Sequence, residues 1–243
     1  MEQIQIDDIF ATIMRDKSYR EQYLCAYLDR FVYSATDLEY GLNADRRRRA
    51  IESLIEAFDV LWTFRDTKLS PYDIVKIGDI VNRDDGISGF RRVNVSAGNY
   101  AEWIPVRPNQ IVYSMYSLFD NYYNVWCERD VYEKEAEFHI RFMRIHPFED
   151  GNKRTAKIIL NANLIRQNYP PVIISEEETA QYYKYINDED VRGFATFLRI
   201  KSLHELNILM SCYKIEKGIP IQDSVVDHIQ EDMKKSGNKG GRK

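Results

Sequence analysis

The sequence has 243 residues, 44% of them hydrophobic and 30% charged, and its formal net charge is −4. This composition excludes global disorder, because enough apolar side chains are present to form a core. A slightly acidic chain has no general attraction to polyanions, so we expect neither nucleic acid nor an anionic membrane among its partners.

The cysteines and the opening residues indicate in which cellular compartment the protein is expected. The three cysteines, Cys25, Cys127 and Cys212, are far apart and form no CxxC pair. We expect reduced, mostly buried thiols and no disulfide framework. The opening residues, MEQIQIDDIFATIM, lack the basic start of a signal peptide, and no run approaches the roughly 18 apolar residues that a membrane span needs. The sequence therefore predicts a cytoplasmic protein.

Two amphipathic helices are predicted near the N-terminus. In YREQYLCAYLDRFVYSATDLEYG, apolar residues recur three and four positions apart, and ADRRRRAIESLIEAFDVLWTF repeats that spacing. The arginine run Arg46–Arg49 could be a nucleic-acid patch. Its position at the start of a helix, with acidic neighbours, favours a solvated face instead.

A short helix follows, and after it the composition of the chain changes. The segment LSPYDIVKIGDIVN predicts a helix with Ser70 as its N-cap and Pro71 as its first residue. Between Asp84 and Val106 the chain is rich in Gly, Ser and Asn and ends in prolines. This composition predicts a β-hairpin or extended flap without helical character.

Helical spacing returns after the flap, and we predict one all-α domain over residues 1–232 with the hairpin as a small addition. The N-terminal helices would occupy about 1–68, the core about 69–205 and further helices about 206–232. The basic, glycine-rich end, 233–243, is predicted to be disordered. The segments with helical spacing after the flap are NQIVYSMYSLFDNYYNVW, VYEKEAEFHIRFMRI, KIILNANLIRQ, EEETAQYYKYI and VRGFATFLRIKSLHELNILMSCYKI.

The stretch IHPFEDGNKRTAK lies between two of these helical segments. Pro147 forbids a regular helix through His146, so one helix ends there. The next helix is expected to begin around Gly151 to Lys153. Its first-turn amides and the positive end of its dipole make a site for phosphate oxygens. Gly151 would let a ligand approach the backbone closely.

The side chains of this stretch divide into chemical roles. His146, with an ordinary pKa of about 6.5, is the candidate general base. Asp150 could bind Mg²⁺, which usually takes one or two carboxylates together with phosphate oxygens. Asn152 could hydrogen-bond a phosphate, and three bases could neutralise it: Lys153, Arg154 and Lys157. Phosphoryl or nucleotidyl transfer to a hydroxyl fits this set, and the alternative is a corner between helices with solvated charges.

The order of these residues resembles the signature of the Fic (filamentation induced by cAMP) family, HPF-x-[DE]-GN-[GK]-R-x-x-R. Each specified position from His146 to Arg154 is met, and Lys157 stands in place of the last arginine. FHIRFMRIHPFEDGNKRTAKIILNANLIRQNYPP is similar to the central helices of the family, and GFRRVNVSAGNYAEWIPVRP is similar to its flap. The resemblance covers about residues 30–205.

The resemblance implies an all-α core with a hairpin flap, and transfer of AMP from ATP to a Ser, Thr or Tyr hydroxyl of a target protein. It makes His146 the base and Asp150 the magnesium ligand. The backbone from Glu149 to Lys153, with Gly151 and Asn152, would form the anion hole, and Arg154 would hold the β and γ phosphates. The flap, with Ser88, Gly89, Phe90, Val93 and Val95, would dock the target by strand addition. Tyr182 and Tyr183 fall where the family often builds its adenine pocket, although as bare residues they fit a core.

Two positions depart from the pattern of the AMP-transferring members. Lys153 stands where most of them have glycine, and GNKR resembles the Doc toxin branch, whose members transfer the γ-phosphate. Lys157 lacks the bidentate fork of the arginine that it replaces. The Doc branch is shorter and usually lacks the long N-terminal helices and the full flap, so we favour AMP transfer over a Doc-like protein kinase.

A regulatory element is also implied. YSATDLEYGLN resembles the inhibitory motif [ST]-x-x-x-E-[GN], which makes Glu39 a candidate inhibitory glutamate that would pair with Lys157 or Arg154. Ser34 lies one position before the Ser/Thr of the motif. The alternative is an ordinary helix end, where glycine commonly follows the last turn.

Other classes of function remain as alternatives. A non-catalytic adaptor would bind nucleotide or a partner without transfer, but it would not need a base beside an anion hole. A metal-dependent hydrolase would need further ligands near His146, and the other histidines, His139, His204 and His228, lack ligand spacing to it. Self-modification and a homodimer are both compatible with the sequence.

Overall fold

The computed structural model describes residues 6–40, 44–64 and 67–217. Helices account for most of these residues, which confirms the prediction of an all-α fold. Short 3₁₀ turns occupy Arg83–Asp85 and Pro108–Gln110, and one π turn, Asn121–Val125, extends the fifth helix. Within the described ranges the α-helices are α1 (Ile6–Met14), α2 (Lys17–Tyr40), α3 (Ala44–Thr63), α4 (Pro71–Val81), α5 (Ile111–Asp120), α6 (Val131–Ile145), α7 (Asn152–Arg166), α8 (Thr179–Asn187) and α9 (Val191–Lys217).

Helix α4 begins as its sequence predicts. The Ser70 hydroxyl oxygen accepts a hydrogen bond from the Asp73 amide at 3.4 Å, and the Asp73 carboxylate accepts one from the Ser70 amide at 3.0 Å. Pro71 occupies the first helical position, where its missing N–H costs nothing. This capping box fixes the start of α4, whose other end reaches the candidate site.

Helix α7 lies at the centre of the domain. Nearly every residue from Asn152 to Ile165 is buried, which is typical of a helix covered on all sides. Helix α6 packs against α7 and α9, and α3 and α4 cover α7 from another direction. The stretch that joins α6 to α7 is therefore held between two buried helices.

The carboxylate of Glu135 joins α6 to its neighbours from within the core. It is 1% exposed and accepts hydrogen bonds from the hydroxyl of Tyr122 and the amides of Asn163 and Gln167. Burial raises its pKa, and these three bonds act in the opposite direction. A buried carboxylate is retained only when such donors surround it.

The segment predicted as a β-hairpin flap, residues 88–106, is irregular chain with bends and turns, and the structure contains no β-strand in the part of the chain that it describes. Carbonyls on the two arms of the flap, those of Val93 and Val106, both bond the guanidinium of Arg91. Because a side chain takes these acceptors, they are not part of a ladder between the two arms. The two arms of the flap are therefore held by side-chain hydrogen bonds instead of by strand pairing.

Helix α2 is joined to helix α9 by polar contacts. The guanidinium of Arg30, on α2, forms a two-pronged ion pair with the carboxylate of Glu205 on α9, and the Tyr23 hydroxyl bonds the same carboxylate at 3.0 Å. Among the described residues no helix is long and apolar enough to cross a lipid bilayer.

The three cysteines are free, as predicted, but all of them are exposed, so the expectation of mostly buried thiols is wrong. Cys25 shows the reason. It lies two positions from Tyr23 and Tyr27, which are buried, and a shift of two positions turns a side chain to the other side of a helix. The residues from 218 onward, including the predicted C-terminal helices to 232 and the predicted disordered tail 233–243, lie outside the described residues.

Candidate active site

His146 caps the C-terminus of α6 in a left-handed conformation, with φ 53° and ψ 61°. Its amide donates to the carbonyl oxygen of Phe142 at 3.0 Å, which closes the last turn of the helix. Pro147 follows and prevents the helix from continuing. The imidazole lies at the boundary between core and surface, with 8% of the residue exposed.

The imidazole of His146 is held in one tautomer. Its Nδ1 lies 3.3 Å from the carbonyl oxygen of Met143, an acceptor, so Nδ1 carries the proton and Nε2 keeps its lone pair. Burial lowers its pKa to about 4, helped by the positive charge of Arg91, while the Met143 carbonyl and Asp150 act against this. The ring is therefore neutral near pH 7 and able to accept a proton at Nε2.

The motif loop, residues 146–151, is anchored through Phe148. This ring is fully buried, and its tip lies against Gly78 of α4, where an added Cβ would be 2.3 Å from the ring. The Asn152 side chain accepts from the Phe148 amide and donates to the Phe148 carbonyl, both at 2.9 Å. Asn152 was predicted to hydrogen-bond a phosphate, but here its amide group closes the loop.

Gly151 meets two requirements at the start of α7. Its φ of 72° is costly for residues with a side chain, and a Cβ would lie 2.2 Å from the side-chain oxygen of Asn82. Asn82 also donates to the carbonyl of Asp150 at 2.9 Å, and the Asp150 carboxylate accepts from the Gly151 amide at 2.6 Å. A helix that begins at Asn152 directs its first-turn amides out of the helix, as an anion hole requires.

The charged side chains of the motif differ in accessibility. Asp150 is 58% exposed in its side chain, while Arg154 is only 2% exposed. The guanidinium of Arg154 donates to the carbonyl of Val81 at 3.4 Å and lies 3.5 Å from the Asp150 carboxylate. Lys153 is half-buried, and Glu149 is exposed.

A cavity of about 10 Å³ lies beside Arg154, lined also by Arg46, Val81 and Asp84. A volume of this size holds at most about one water molecule. A phosphate group would therefore need these side chains to move before it could contact the Arg154 guanidinium.

Lys157 is buried, and its side chain reaches the segment between α7 and α8. Its ammonium donates to the carbonyl of Ile174 at 3.2 Å and lies 5.8 Å from the centre of the Tyr182 ring. The Tyr182 ring is 1% exposed, and its hydroxyl is 2.8 Å from Nε2 of His139. These contacts place Tyr182 in the core.

Tyr183 belongs to an aromatic stack that reaches the flap. Its ring stacks on Tyr100 at 5.4 Å and on Trp103 at 6.2 Å. The flap also receives hydrogen bonds at this end, where the Asn187 side chain accepts from the Glu102 amide and donates to the Tyr100 carbonyl. Tyr183 therefore contacts the flap in addition to α8.

The flap residues named from the sequence divide into anchors and exposed positions. Phe90 packs on Phe148 with ring centres 5.9 Å apart, and the Gly89 amide donates to Asp79 at 2.6 Å. Ser88 and Val93 are exposed, and Val95 is partly exposed. The flap thus presents one part of its length to solvent beside the motif loop.

Arg91 is a residue of the site that the sequence reasoning missed. It is 3% exposed, and its guanidinium donates to the carbonyl of His146 at 2.7 Å. In the sequence it is one of two adjacent arginines in a polar segment, and its neighbour Arg92 is exposed. Residue type alone could not distinguish the two.

The predicted inhibitory motif is described only in part. Glu39 lies in α2, but its side chain is outside the described residues. The Ser34 hydroxyl donates to the carbonyl of Phe31 at 2.8 Å, within its own helix.

Fold and site together define a class: a helical domain in which a neutral histidine at the end of one helix lies a short loop away from the N-terminus of the next. Residues 68–164 match the model of the Fic/DOC family. The matched residues hold both the motif loop and the flap.

Several curated proteins are similar to part of this chain. The chain is 29% identical over 174 residues to the protein named "Protein adenylyltransferase Fic" of Culex quinquefasciatus, an alignment of 67% of this chain and 34% of the relative. It spans between about a quarter and two fifths of the length of such curated relatives.

Two solved structures share the fold. A Fic domain containing signaling protein from Bacteroides thetaiotaomicron has a TM-score of 0.75 at 19% identity, covering 90% of this chain and 98% of that one. The structure of IbpAFic2 in complex with adenylylated Cdc42 has a TM-score of 0.53 at 18% identity, covering 70% and 61%.

Proposed function

We propose that this chain is a protein adenylyltransferase, which transfers AMP from ATP to a hydroxyl side chain of a target protein. The observation that carries the proposal is the neutral imidazole of His146, held as the Nδ1–H tautomer beside the N-terminus of α7. The name of the Culex quinquefasciatus relative and the adenylylated Cdc42 in the IbpAFic2 structure support the same chemistry.

In the proposed reaction, Nε2 of His146 takes the proton of the target hydroxyl. The hydroxyl oxygen forms a bond to the α-phosphorus, the bond from that phosphorus to the oxygen bridging to the β-phosphate breaks, and pyrophosphate leaves. The pKa of His146, lowered to about 4 by burial, leaves the base unprotonated at neutral pH. A neutral base is available in every molecule, although its low basicity limits the driving force for proton transfer.

The proposed nucleotide site combines backbone and side chains. The N-terminus of α7, from Gly151 to Lys153, would receive phosphate oxygens through its amides and dipole. Arg154 would bind the β and γ phosphates after leaving its buried position. Asn152 would hold the motif loop in the shape that binds phosphate, because its side chain closes that loop. Tyr183 would provide an aromatic surface for the adenine.

Asp150 fits the role of a magnesium ligand. Its carboxylate is 58% exposed, and the Gly151 amide fixes one of its oxygens at 2.6 Å. The described residues hold no cluster of three or more ligand side chains for a metal, which suits Mg²⁺ because phosphate oxygens and water complete its shell. When bound, Mg²⁺ would offset the charge of the triphosphate and of the leaving pyrophosphate.

We also propose that the chain is autoinhibited, with Glu39 as the inhibitory residue. The support is the limited space around Arg154, where a cavity of about 10 Å³ excludes a phosphate. Glu39 is in the last turn of α2, the helix that precedes α3, and α3 contributes Arg46 to that cavity. Removing its carboxylate is expected to make the phosphate site more accessible.

Transfer of the γ-phosphate is the second candidate, favoured by the lysines at two motif positions. Lys157 donates to the carbonyl of Ile174, inside the fold, so the group that replaces the second arginine has a protein partner. A γ-phosphate would lack one bidentate contact in the orientation used for AMP transfer.

The deciding experiment uses ATP labelled with ³²P at either the α or the γ position, with Mg²⁺, on the full chain carrying Glu39→Gly. Adenylyl transfer predicts label on protein from α-labelled ATP only, at a higher level than in the wild-type chain. His146→Ala should abolish the label, and the matched control His204→Ala, at an exposed position on α9, should retain it. Label from γ-labelled ATP alone would identify a kinase, and tight ATP binding with no label in either case would identify an adaptor.

A further inference from the structure

The end of α6 presents carbonyl groups that the helix cannot satisfy. The carbonyls of Ile145 and His146 lie beyond the last intrahelical acceptor, and the bend at Pro147 turns the chain away. The guanidinium of Arg91 meets both, with Nε 2.7 Å from the His146 oxygen and Nη2 3.4 Å from the Ile145 oxygen. Its backbone amide donates to the Pro147 carbonyl at 2.9 Å. One residue thus bonds three consecutive carbonyls around the proposed base.

The same guanidinium holds both arms of the flap. Nη1 of Arg91 donates to the Val93 carbonyl at 2.8 Å, and Nη2 donates to the carbonyl of Val106. These two acceptors lie on either side of the flap tip. Arg91 therefore links the flap directly to the backbone of His146.

All of these bonds end on carbonyl dipoles, and no carboxylate forms an ion pair with Arg91 among the described residues. Burial lowers its pKa, which expresses the cost of keeping this charge out of water. A planar group with five N–H donors can reach this many acceptors at fixed angles, and a lysine cannot. The guanidinium of Arg91 therefore orients the backbone segments whose carbonyls it bonds.

The conformation of His146 shows why such orientation matters. A residue before proline prefers extended backbone, and a left-handed conformation is unfavourable for a residue with a side chain. Two bonds on its own peptide groups hold the φ of 53° at His146: the local bond of its amide to Phe142, which closes the helix, and the tertiary bond from Arg91 to its carbonyl. Relaxation toward extended backbone would swing the imidazole away from its contact with Met143.

We propose that Arg91 is a positioning residue for the transfer reaction: it holds His146 in the left-handed conformation that directs Nε2 to the reacting hydroxyl, and it ties that conformation to the flap. The inference rests on the proposed role of His146 as the base. It differs from a role in flap docking alone, because it requires an effect on the imidazole in the absence of any target.

The experiment compares Arg91→Met with Arg91→Lys and with Arg92→Met, an exposed position that loses the same charge one residue away. The imidazole signals of the full chain, labelled with ¹⁵N in histidine, are recorded through a pH titration without nucleotide or target, and a His146→Gln sample assigns the His146 resonances. In the Glu39→Gly background, self-labelling from α-³²P ATP gives kcat and the KM for ATP. Asn187→Ala, which removes the side-chain bonds to the flap at Tyr100 and Glu102, is the second control.

We expect Arg91→Met to shift the His146 resonances and to raise the pKa of His146 above about 4, since a lowering charge is removed. The kcat should fall about a hundredfold with the KM for ATP unchanged, the size of effect that a displacement of about 1 Å produces. Arg91→Lys should change both quantities in the same direction by a smaller amount, and it decides the matter if the methionine variant does not fold.

Wild-type His146 resonances in folded Arg91→Met would overturn the inference, as would a loss of activity that Asn187→Ala reproduces in full. Absence of label in the wild-type and Glu39→Gly chains alike would remove the proposed function instead. In that case the imidazole titration alone still decides whether Arg91 sets the position and ionisation of His146.

Discussion

Asn152 closes the motif loop by bonding the amide and the carbonyl of Phe148 with the two ends of one side chain. The Phe148 ring in turn fills the space beside Gly78 of α4. The loop that carries the proposed anion hole is thus positioned by an amide pair on one side and an aromatic ring on the other. Neither contact touches the reacting groups, but both determine where the N-terminus of α7 lies.

Gly78→Ala tests this arrangement. The new methyl group would lie 2.3 Å from the Phe148 ring, so the ring and its loop must shift. We expect a loss of about 1–3 kcal/mol in the free energy of unfolding, as is usual for overpacking, measured by urea denaturation. The double variant Gly78→Ala, Phe148→Leu should recover part of this loss, because the smaller side chain makes room. Full wild-type stability in the single variant would mean that the ring has space to move.

Residue types and order single out His146 and Asp150 as candidates, because a base and a hard carboxylate are recognisable from chemistry. They were not sufficient for Arg91 or Asn82, whose roles depend on where their partners lie. Asn82 follows the end of α4 and bonds the carbonyl of Asp150, 68 residues further along the chain. No local pattern signals a contact at such separation.

At the scale of elements, the helices follow the apolar spacing of the sequence closely, and the capping box at Ser70 marks the start of α4 to the residue. The flap does not follow its pattern in the same way. Alternating residues and glycines indicate a hairpin, but the segment is irregular, because strand pairing depends on which acceptors remain available. Here Arg91 bonds carbonyls on both arms, and sequence periodicity contains no information about that competition.

Helices α6 and α7 are joined through Glu135, and Glu135→Ala is expected to weaken this junction. The change leaves buried donors of Tyr122, Asn163 and Gln167 without their acceptor. We expect the free energy of unfolding to fall by about 3 kcal/mol, since each unsatisfied buried group costs about 1–3 kcal/mol and water can reach some of them. Chemical denaturation measures the change. Glu133→Ala, on the same helix and partly exposed, should alter stability by less than about 1 kcal/mol, and an equal loss in both variants would contradict the assignment.

At the scale of the whole molecule, two buried histidines link folding to pH. Burial lowers the pKa of His139 to about 3 and that of His146 to about 4. In the unfolded chain both return to about 6.5. As the pH falls below 6.5, the unfolded state therefore binds protons that the folded state does not, and stability is lost between about pH 6.5 and 4.

We expect each of these histidines to lower the free energy of unfolding by about 2 kcal/mol between pH 7 and pH 5. Urea denaturation at the two pH values measures the difference. His139→Gln keeps a polar partner for the Tyr182 hydroxyl and should remove about half of the histidine contribution. The raised pKa of Glu135 acts in the opposite direction and is common to both proteins, so it cancels in the comparison. An unchanged pH dependence in the variant would show that His139 does not contribute.

The confined guanidinium of Arg154 has a consequence for how ligand affinity should be interpreted. With room beside it for at most about one water molecule, a triphosphate can engage this group only in the subset of molecules in which the lining side chains have moved. The measured dissociation constant is then the intrinsic one divided by the fraction in that subset; a fraction of about one in a hundred weakens apparent binding about a hundredfold. A substitution far from the bound triphosphate could thus change the ATP affinity by changing the fraction of molecules that are able to bind it.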